Sequence, residues 1–119
     1  MNVAILGASS NPDRYAYKAH SMLQQHGHTV LPVGRRDDMI LGDKVYRSIM
    51  DITEAIDTVT LYVGPQHAKD LVQEIIEAKP RRIIFNPGTE DPAIISQIAE
   101  HGIQCEQACT LVLLSTGQF

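Results

Sequence analysis

Short apolar runs alternate with longer stretches in which apolar residues recur every three or four positions, a pattern that predicts strands followed by helices. The strands are expected at residues 3–6, 29–33, 58–63 and 82–85, with a shorter fifth one at residues 103–106. Strands that alternate with helices favour a parallel sheet, because each helix carries the chain back to the edge at which the next strand begins. The predicted fold class is therefore α/β: a Rossmann-like, doubly wound parallel sheet of about five strands with helices on both faces.

Glycine and proline mark the expected ends of the connecting helices. The first covers about residues 15–26 and stops at Gly27, because glycine tolerates the left-handed backbone found at helix ends. The second extends to about residue 78 with Pro65 as its first residue, a position that suits proline. The third follows the cap residue Asp91 and stops at Gly102.

Three segments give weaker patterns. Residues 39–45 fit neither a helix nor a strand clearly, and a short helix is expected at about residues 51–55. The closing apolar run at residues 111–114 fits either a helix or a strand. We expect this run to pack in the core or to form a dimer face, so a homodimer is one of the expected assemblies.

Composition and charge limit the classes of protein. With a mass of 13.2 kDa, residues 1–119 are expected to form a single domain. A net charge of -4 and a pI near 5.6 argue against a nucleic-acid partner, since nonspecific binding depends on phosphate neutralisation by Lys and Arg. Cys105 and Cys109 are the only cysteines, which excludes a disulfide framework and suits a reducing compartment. Because the chain has no basic leader and no apolar run of ~20 residues, we expect a cytoplasmic protein with no membrane partner.

The turn after the first strand carries the most informative chemistry. Residues 7–12, Gly-Ala-Ser-Ser-Asn-Pro, follow a buried strand directly and precede a helix, an arrangement in which free backbone N–H groups bind phosphate. Gly7 permits a tight turn, and Arg14 and Lys18 lie one helical turn apart on the same face. These features predict a diphosphate site. The alternative is that the turn only caps the helix and that the two charged residues are solvated.

The end of the second predicted strand separates two kinds of nucleotide site. Dinucleotide sites usually have G-x-G-x-x-G and an acidic residue at this point that binds the ribose hydroxyls. Here the strand leads into Gly34, Arg35 and Arg36 instead, and guanidinium groups bind phosphate. A diphosphate and a phosphorylated ribose occur together in coenzyme A and in NADP. The alternative is a surface loop whose arginines are balanced by Asp37 and Asp38.

The chain resembles a known family in these blocks. Residues 3–15, followed by Lys18 and residues 27–33, look like the small stand-alone CoA-binding domain proteins. Those proteins are similar to the CoA-binding domain of the succinyl-CoA synthetase alpha subunit. The resemblance continues through residues 57–65 and 86–90 and so covers nearly the whole chain. The phosphohistidine and grasp regions of the synthetase have no counterpart here, so ligase activity is not implied.

The resemblance implies that coenzyme A lies across the first turn, the loop after the second strand and the ends of the third and fourth strands. The first turn would meet the diphosphate, the loop would lie near the adenosine 3′-phosphate, and the end of the third strand would flank the adenine or the pantetheine. The chain departs from the family at Gly34, where these proteins often have an Asn-Pro pair. Together the turns and the resemblance predict the following cofactor-binding residues: Gly7, Ala8, Ser9, Ser10, Asn11, Arg14, Tyr15, Lys18, Gly34, Arg35, Val63, Gly64, Pro65, Asn86 and Gly88.

No catalytic set accompanies this site. His67 is the only histidine expected near the ligand, and no nucleophile and orienting carboxylate pair with it. A thiol of Cys105 or Cys109 near the CoA thiol would permit disulfide exchange, although buried, inert cysteines are more common. Glu90 and Asp91 fit helix capping better than acid–base chemistry, and no metal-ligand spacing occurs. We therefore predict a protein that binds coenzyme A or an acyl-CoA without catalysis of its own. The alternatives are an NADP-binding oxidoreductase-like protein and a Rossmann-like scaffold that has lost ligand binding.

Overall fold

A computed structural model describes residues 1–119, and a parallel sheet of five strands forms its centre. The strands in chain order are β1 (Asn2–Leu6), β2 (Thr29–Val33), β3 (Met39–Ile40), β4 (Asp43–Lys44), β5 (Thr58–Leu61), β6 (Arg82–Phe85) and β7 (Gln104–Gln107). The sheet order is β2-β1-β5-β6-β7, and every neighbouring pair in it is parallel. The short strands β3 and β4 form a separate antiparallel hairpin. The α/β fold class predicted from the alternating pattern is confirmed.

The helices cover both faces of the sheet, as predicted. They are α1 (Tyr15–Gln25), α2 (Pro65–Ala68), α3 (Val72–Ala78), α4 (Pro92–Ala99) and α5 (Thr110–Ser115), and a 3-10 turn covers Ile49–Asp51. None of these helices has the length and apolar character needed to cross a membrane.

Alternate residues of β1 point to opposite faces of the sheet and separate two apolar clusters. Ala4 and Leu6 belong to the larger cluster of 16 buried residues, which α3, α4 and the 3-10 turn cover. Val3 and Ile5 belong to the smaller cluster of 6 buried residues, which contains residues of α1 and α5. Because both faces of this strand are buried, its residues read as a continuous apolar run.

The segment predicted as one helix after β5 is two helices. The strand itself ends at Leu61, two residues before the predicted end, and α2 and α3 are separated at residues 69–71. Leu71 has φ −101° and ψ −7°, and its side chain packs against the larger cluster. The break falls at residues that include neither glycine nor proline.

The weaker patterns resolve differently. The helix expected at residues 51–55 is wrong, because the Ser48 side chain accepts a hydrogen bond from the Met50 N–H and starts a single 3-10 turn earlier in the chain. Residues 39–45 contain the β3–β4 hairpin, whose tip places Leu41 (φ 51°) and Gly42 (φ 83°) in the left-handed region. The closing run is helical and lies in α5, where Leu114 is buried.

Candidate functional site

A cleft of about 840 Å³ lies where the carboxyl ends of β1, β2 and β5 meet. The chain runs from β1 outward to β2 and later returns to the other side of β1 at β5, so the strand order reverses at this point. Open α/β sheets bind ligands at such a switch point. The cleft is walled by the turn after β1, by the loop after β2 and by residues 62–74.

The turn after β1 packs tightly against the end of β5 because of Gly7. This residue has φ +91°, and a Cβ atom added to it would lie 2.9 Å from the Val63 Cγ1 and 3.2 Å from the Tyr62 carbonyl carbon and oxygen. An L side chain at this position would therefore meet both an unfavourable φ and a steric clash. The requirement for glycine, inferred from the turn pattern, is explained by these two contacts.

The first two amides of the turn are used by the fold itself. Gly7 N and Ala8 N donate to the Val33 carbonyl oxygen at 3.1 and 3.0 Å, and so fasten the turn to the end of β2. Because these two N–H groups already have an acceptor, we expect the later amides of the turn to be the ones that meet an anion. Both residues still line the cleft.

Later amides of the same turn have no acceptor within the protein. Ser9 N and Ser10 N make no hydrogen bond, and neither do Tyr15 N and Ala16 N in the first turn of α1. The residue before this helix, Arg14, supplies no side-chain cap. An uncapped helix start carries partial positive charge on its free N–H groups, and here it faces the cleft.

Asn11 shapes the turn without closing it. Its N–H donates to the Ser9 Oγ at 3.0 Å, and its Oδ1 accepts from the Asp13 N–H at 3.0 Å. These local bonds hold the residues between the turn and α1 in a defined path. The free amides on either side are thereby fixed in position.

Three arginines on the cleft wall are free of ion pairs. Arg14, Arg35 and Arg36 line the cleft, and none takes part in a salt bridge. The alternative in which Asp37 and Asp38 neutralise the loop arginines does not describe this structure, since the Asp38 carboxylate is bound by Arg47. The free guanidinium groups make this wall a place where an anion is favoured.

Arg47 organises the loop that carries Arg35. Its Nη1 donates to the Gly34 and Asp37 carbonyl oxygens at 3.1 and 2.7 Å, and its Nη2 donates to the Asp38 Oδ1 at 2.6 Å. Arg47 was not among the predicted site residues, because no local pattern links it to a loop nine or more positions earlier. The parallel bridge between Val33 and Tyr46 brings the two segments together.

Gly34 allows the loop after β2 to approach the first turn. A Cβ atom on Gly34 would lie 3.1 Å from the Ala8 carbonyl oxygen, tighter than ordinary van der Waals contact. The departure from the Asn-Pro pair therefore coincides with a close backbone contact between the two walls of the cleft.

Acidic residues also line the cleft. Asp70 and Glu74 line it together with His67 and Leu71. The Glu74 Oε1 accepts a hydrogen bond of 2.6 Å from the Ser48 hydroxyl, which ties α3 to the 3-10 turn. The cleft lining therefore carries carboxylates as well as arginines. Asp70 and Glu74 were not among the predicted site residues, because they lie at and after the break between α2 and α3, for which the sequence gives no signal.

The structure brings most of the predicted residues to the cleft. The following predicted residues line it: Gly7, Ala8, Ser9, Ser10, Asn11, Arg14, Tyr15, Gly34, Arg35 and Val63. The predicted residues outside the lining are Lys18, Gly64, Pro65, Asn86 and Gly88. After β6, which is the fourth predicted strand, the cleft is lined instead by Pro87 and Thr89.

Asn86 belongs to a buried polar network and has no free amide atom. Its Nδ2 donates to the Thr60 Oγ1 and the Leu61 carbonyl oxygen at 2.8 and 2.9 Å, and its Oδ1 accepts from the Thr110 N–H at 2.9 Å. The Thr60 and Thr110 hydroxyls are 2.8 Å apart. Asn86 therefore joins β5, β6 and α5. Both polar atoms of its side-chain amide, which were predicted to contact the ligand, are hydrogen-bonded within the protein.

Lys18 lies at the edge of the site. Its Nζ is 5.5 Å from the centre of the Tyr15 ring, a cation–π geometry. The Tyr15 side chain is exposed and lines the cleft. The Lys18 ammonium group therefore contacts a cleft residue without lining the cleft itself.

Neither cysteine lines the cleft. Burial raises the pKa of the Cys105 thiol, and the nearest acceptors to its sulfur are the Ile95 and Ile103 carbonyl oxygens. Cys109 is the cap residue before α5. No group of three or more His, Cys, Asp or Glu side chains is arranged to hold a metal ion.

The fold and the cleft define a Rossmann-like α/β domain with a basic site at the carboxyl edge of its sheet. The chain belongs to the CoA-binding-domain family, whose model matches residues 1–115. This membership confirms the family resemblance described for the turn after β1.

Known relatives agree with this family. A crystal structure of an uncharacterized protein is 41% identical, has a TM-score of 0.89 and covers 99% of this chain and 97% of its own. The uncharacterized protein YneT of Bacillus subtilis is 28% identical over 63% of this chain and 56% of its own length. The alpha subunit of the ADP-forming acetate–CoA ligase II of Pyrococcus furiosus is 26% identical over 70% of this chain. The chain thus spans about half of the Bacillus protein and only 18% of the ligase subunit.

Proposed function

We propose that the cleft binds coenzyme A or an acyl-CoA, with the diphosphate at the turn between β1 and α1. The observation that carries this proposal is the set of unpaired backbone N–H groups at Ser9, Ser10, Tyr15 and Ala16 beside the free Arg14 guanidinium. Backbone N–H groups at a helix start bind phosphate oxygens directly, and an arginine adds charge-assisted hydrogen bonds. Membership of the CoA-binding-domain family supports coenzyme A as the ligand.

Arg35 and Arg36 are proposed to bind the phosphate on the adenosine ribose. They lie on the cleft wall in a loop that Arg47 fixes at its base. A second phosphate site, in a loop separate from the turn between β1 and α1, matches a ligand that has a diphosphate and a phosphorylated ribose. The cleft volume of about 840 Å³ lies within the range of cofactor sites.

The side chains of the cleft support binding without catalysis. His67 is exposed and makes no side-chain hydrogen bond that would orient it. Ser48 is the hydroxyl nearest to a carboxylate in the cleft, yet it already accepts the Met50 N–H and donates to Glu74. A nucleophile needs a base that is itself held in place, and these residues do not provide that chain.

NADP is the second candidate ligand. The same loop arginines suit a ribose 2′-phosphate, and the same turn suits a pyrophosphate. Coenzyme A and NADP differ in the position of the ribose phosphate and in the group beyond the diphosphate, so a direct comparison separates them.

Calorimetric titration of nucleotide-free protein with coenzyme A, 3′-dephospho-CoA and NADP tests the proposal. We expect saturable binding of coenzyme A that exceeds the binding of the other two ligands and weakens with salt. Replacing Arg14 or Arg35 with alanine should lower the affinity by about 10- to 150-fold each, since a charge-assisted hydrogen bond contributes about 1.5 to 3 kcal/mol. Arg81→Ala is the matched control, because Arg81 is exposed at the opposite edge of the sheet, and its loss removes the ion pair with Asp57 without changing any residue of the cleft lining.

Protein that has been shown by mass spectrometry to be free of bound cofactor, and that gives no heat with coenzyme A, would refute the proposal and favour a scaffold that has lost ligand binding. Tighter binding of NADP than of coenzyme A would replace it with the second candidate.

A further inference from the structure

A buried histidine joins α1 to the hairpin that follows the loop arginines. His20 is 1% exposed, and its Nε2 lies 2.8 Å from the Asp43 Oδ2 in β4. Because an ionised carboxylate only accepts, the Nε2 carries the proton of this bond. Gln24, one turn later in α1, donates to the same Asp43 oxygen at 2.8 Å and to the Leu41 carbonyl oxygen at 2.9 Å.

The hairpin and the two loop arginines, Arg35 and Arg36, belong to one segment, residues 34–47. The two ends of this segment are joined where the Gly34 N–H donates to the Tyr46 carbonyl oxygen at 3.0 Å. Arg47 binds the loop from the same end. The Asp43 contacts hold the hairpin to α1, and the Val45 N–H donates to the Asp38 carbonyl oxygen at 2.9 Å, which joins the hairpin to the loop that carries the arginines.

We infer that His20 and Asp43 form a latch that sets the preference of the cleft for a ligand with a phosphorylated ribose. The inference rests on the proposed function. Neither side chain lines the cleft, so both are positioning residues that act through the loop. A loop held at both ends loses less conformational entropy when its arginines bind a phosphate than a loop held at one end.

Loss of the latch should change the mobility of the loop but not the overall fold. Ile40 and Val45 are both buried, so they keep the segment of residues 34–47 attached to the rest of the protein. Losing the latch is therefore expected to loosen the loop without unfolding the domain. The turn between β1 and α1, which is proposed to bind the diphosphate, shares no hydrogen bond with Asp43 and should be unaffected.

The test uses His20→Leu and Asp43→Ala, with affinities for coenzyme A and for 3′-dephospho-CoA measured by calorimetry. We expect both variants to lose roughly 2- to 30-fold in affinity for coenzyme A, the range in which indirect residues modulate binding. The affinity for 3′-dephospho-CoA, which lacks the phosphate that the loop would bind, should stay the same. His20→Gln, which keeps a donor toward Asp43, should restore the preference for coenzyme A.

His101→Leu is the matched control, because the His101 ring binds only the Gln97 carbonyl oxygen of the neighbouring helix α4. If His20→Leu does not fold, Asp43→Ala carries the test, since the Asp43 side chain is 31% exposed. Variants that fold and keep the wild-type ratio of the two affinities would overturn the latch alone. Equal losses for both ligands would also overturn it, because they would indicate a general loss of structure. Wild-type protein that binds neither ligand would overturn the proposed function as well.

Discussion

Replacing Gly7 with alanine should destabilise the protein through two separate effects. The first is the backbone: φ is +91°, and holding an L residue in such a sparsely populated region costs about 1 to 3 kcal/mol. The second is the clash of the new Cβ, 2.9 Å from the Val63 Cγ1 and 3.2 Å from the Tyr62 main chain, which adds about 1 to 3 kcal/mol. The expected loss of about 2 to 6 kcal/mol is a large share of the usual stability of a domain.

Gly88→Ala separates the two effects. Gly88 has the same φ of +91°, but a Cβ atom added to it would have no neighbour within 4 Å. The backbone cost is therefore shared by both variants, while the clash belongs to Gly7→Ala alone. Urea unfolding of the two variants and the wild type, followed by circular dichroism, gives the difference in unfolding free energy.

We expect Gly7→Ala to be less stable than Gly88→Ala by the clash energy of about 1 to 3 kcal/mol. Equal losses in the two variants would refute the reasoning, since they would mean that the turn after β1 and the end of β5 do not approach each other as closely as described.

Three further predictions concern residues away from the cleft wall. The hydrogen bonds from Arg81 hold the pKa of Asp57 at about 2, below its ordinary value of 3.8, so Asp57→Asn should lower Tm at neutral pH. Because a lowered pKa stabilises the folded state only above the unfolded value, this Tm difference should vanish as the pH falls from about 4 to about 2, and a difference that persists there would contradict the assignment. Asn86→Ala should lower the free energy of unfolding, measured in urea, by about 2 to 4 kcal/mol, because it leaves Thr60 and two backbone groups without their buried partner. An unchanged urea midpoint would contradict the role of this network in stability. The Cys105 thiol should react with iodoacetamide more slowly than a free cysteine at the same pH, because burial raises its pKa, and equal rates measured by mass spectrometry would contradict this.

The sheet was predictable because strong local patterns specify it. Strand β1 is buried on both faces and reads as an unbroken apolar run, and its turn starts with a glycine that the backbone requires. The cap of α4 was equally predictable, since the Asp91 side chain accepts from the Ala93 and Ile94 N–H groups. In each case the residue type itself, an apolar run, a glycine or a capping aspartate, records the local conformation that the structure adopts.

The parts of the site that sequence analysis missed depend on contacts between distant residues. Arg47 reaches back to the Gly34 and Asp37 carbonyl oxygens, and no local pattern records that contact. Asp70 and Glu74 line the cleft at and after the break between α2 and α3, where the sequence has neither glycine nor proline. Asn86 follows a strand at the carboxyl edge of the sheet, as a ligand-binding residue would, but the buried threonines beside it use its amide.

The most direct test of the central claim is a titration of isotope-labelled protein with coenzyme A, followed through its backbone amide NMR signals. We predict saturable shifts that are largest at the unpaired amides of Ser9, Ser10, Tyr15 and Ala16, with a smaller response at Gly7 and Ala8, whose N–H groups already donate to the Val33 carbonyl oxygen. Shifts confined to the opposite edge of the sheet, or no saturable shift at these amides, would contradict the account.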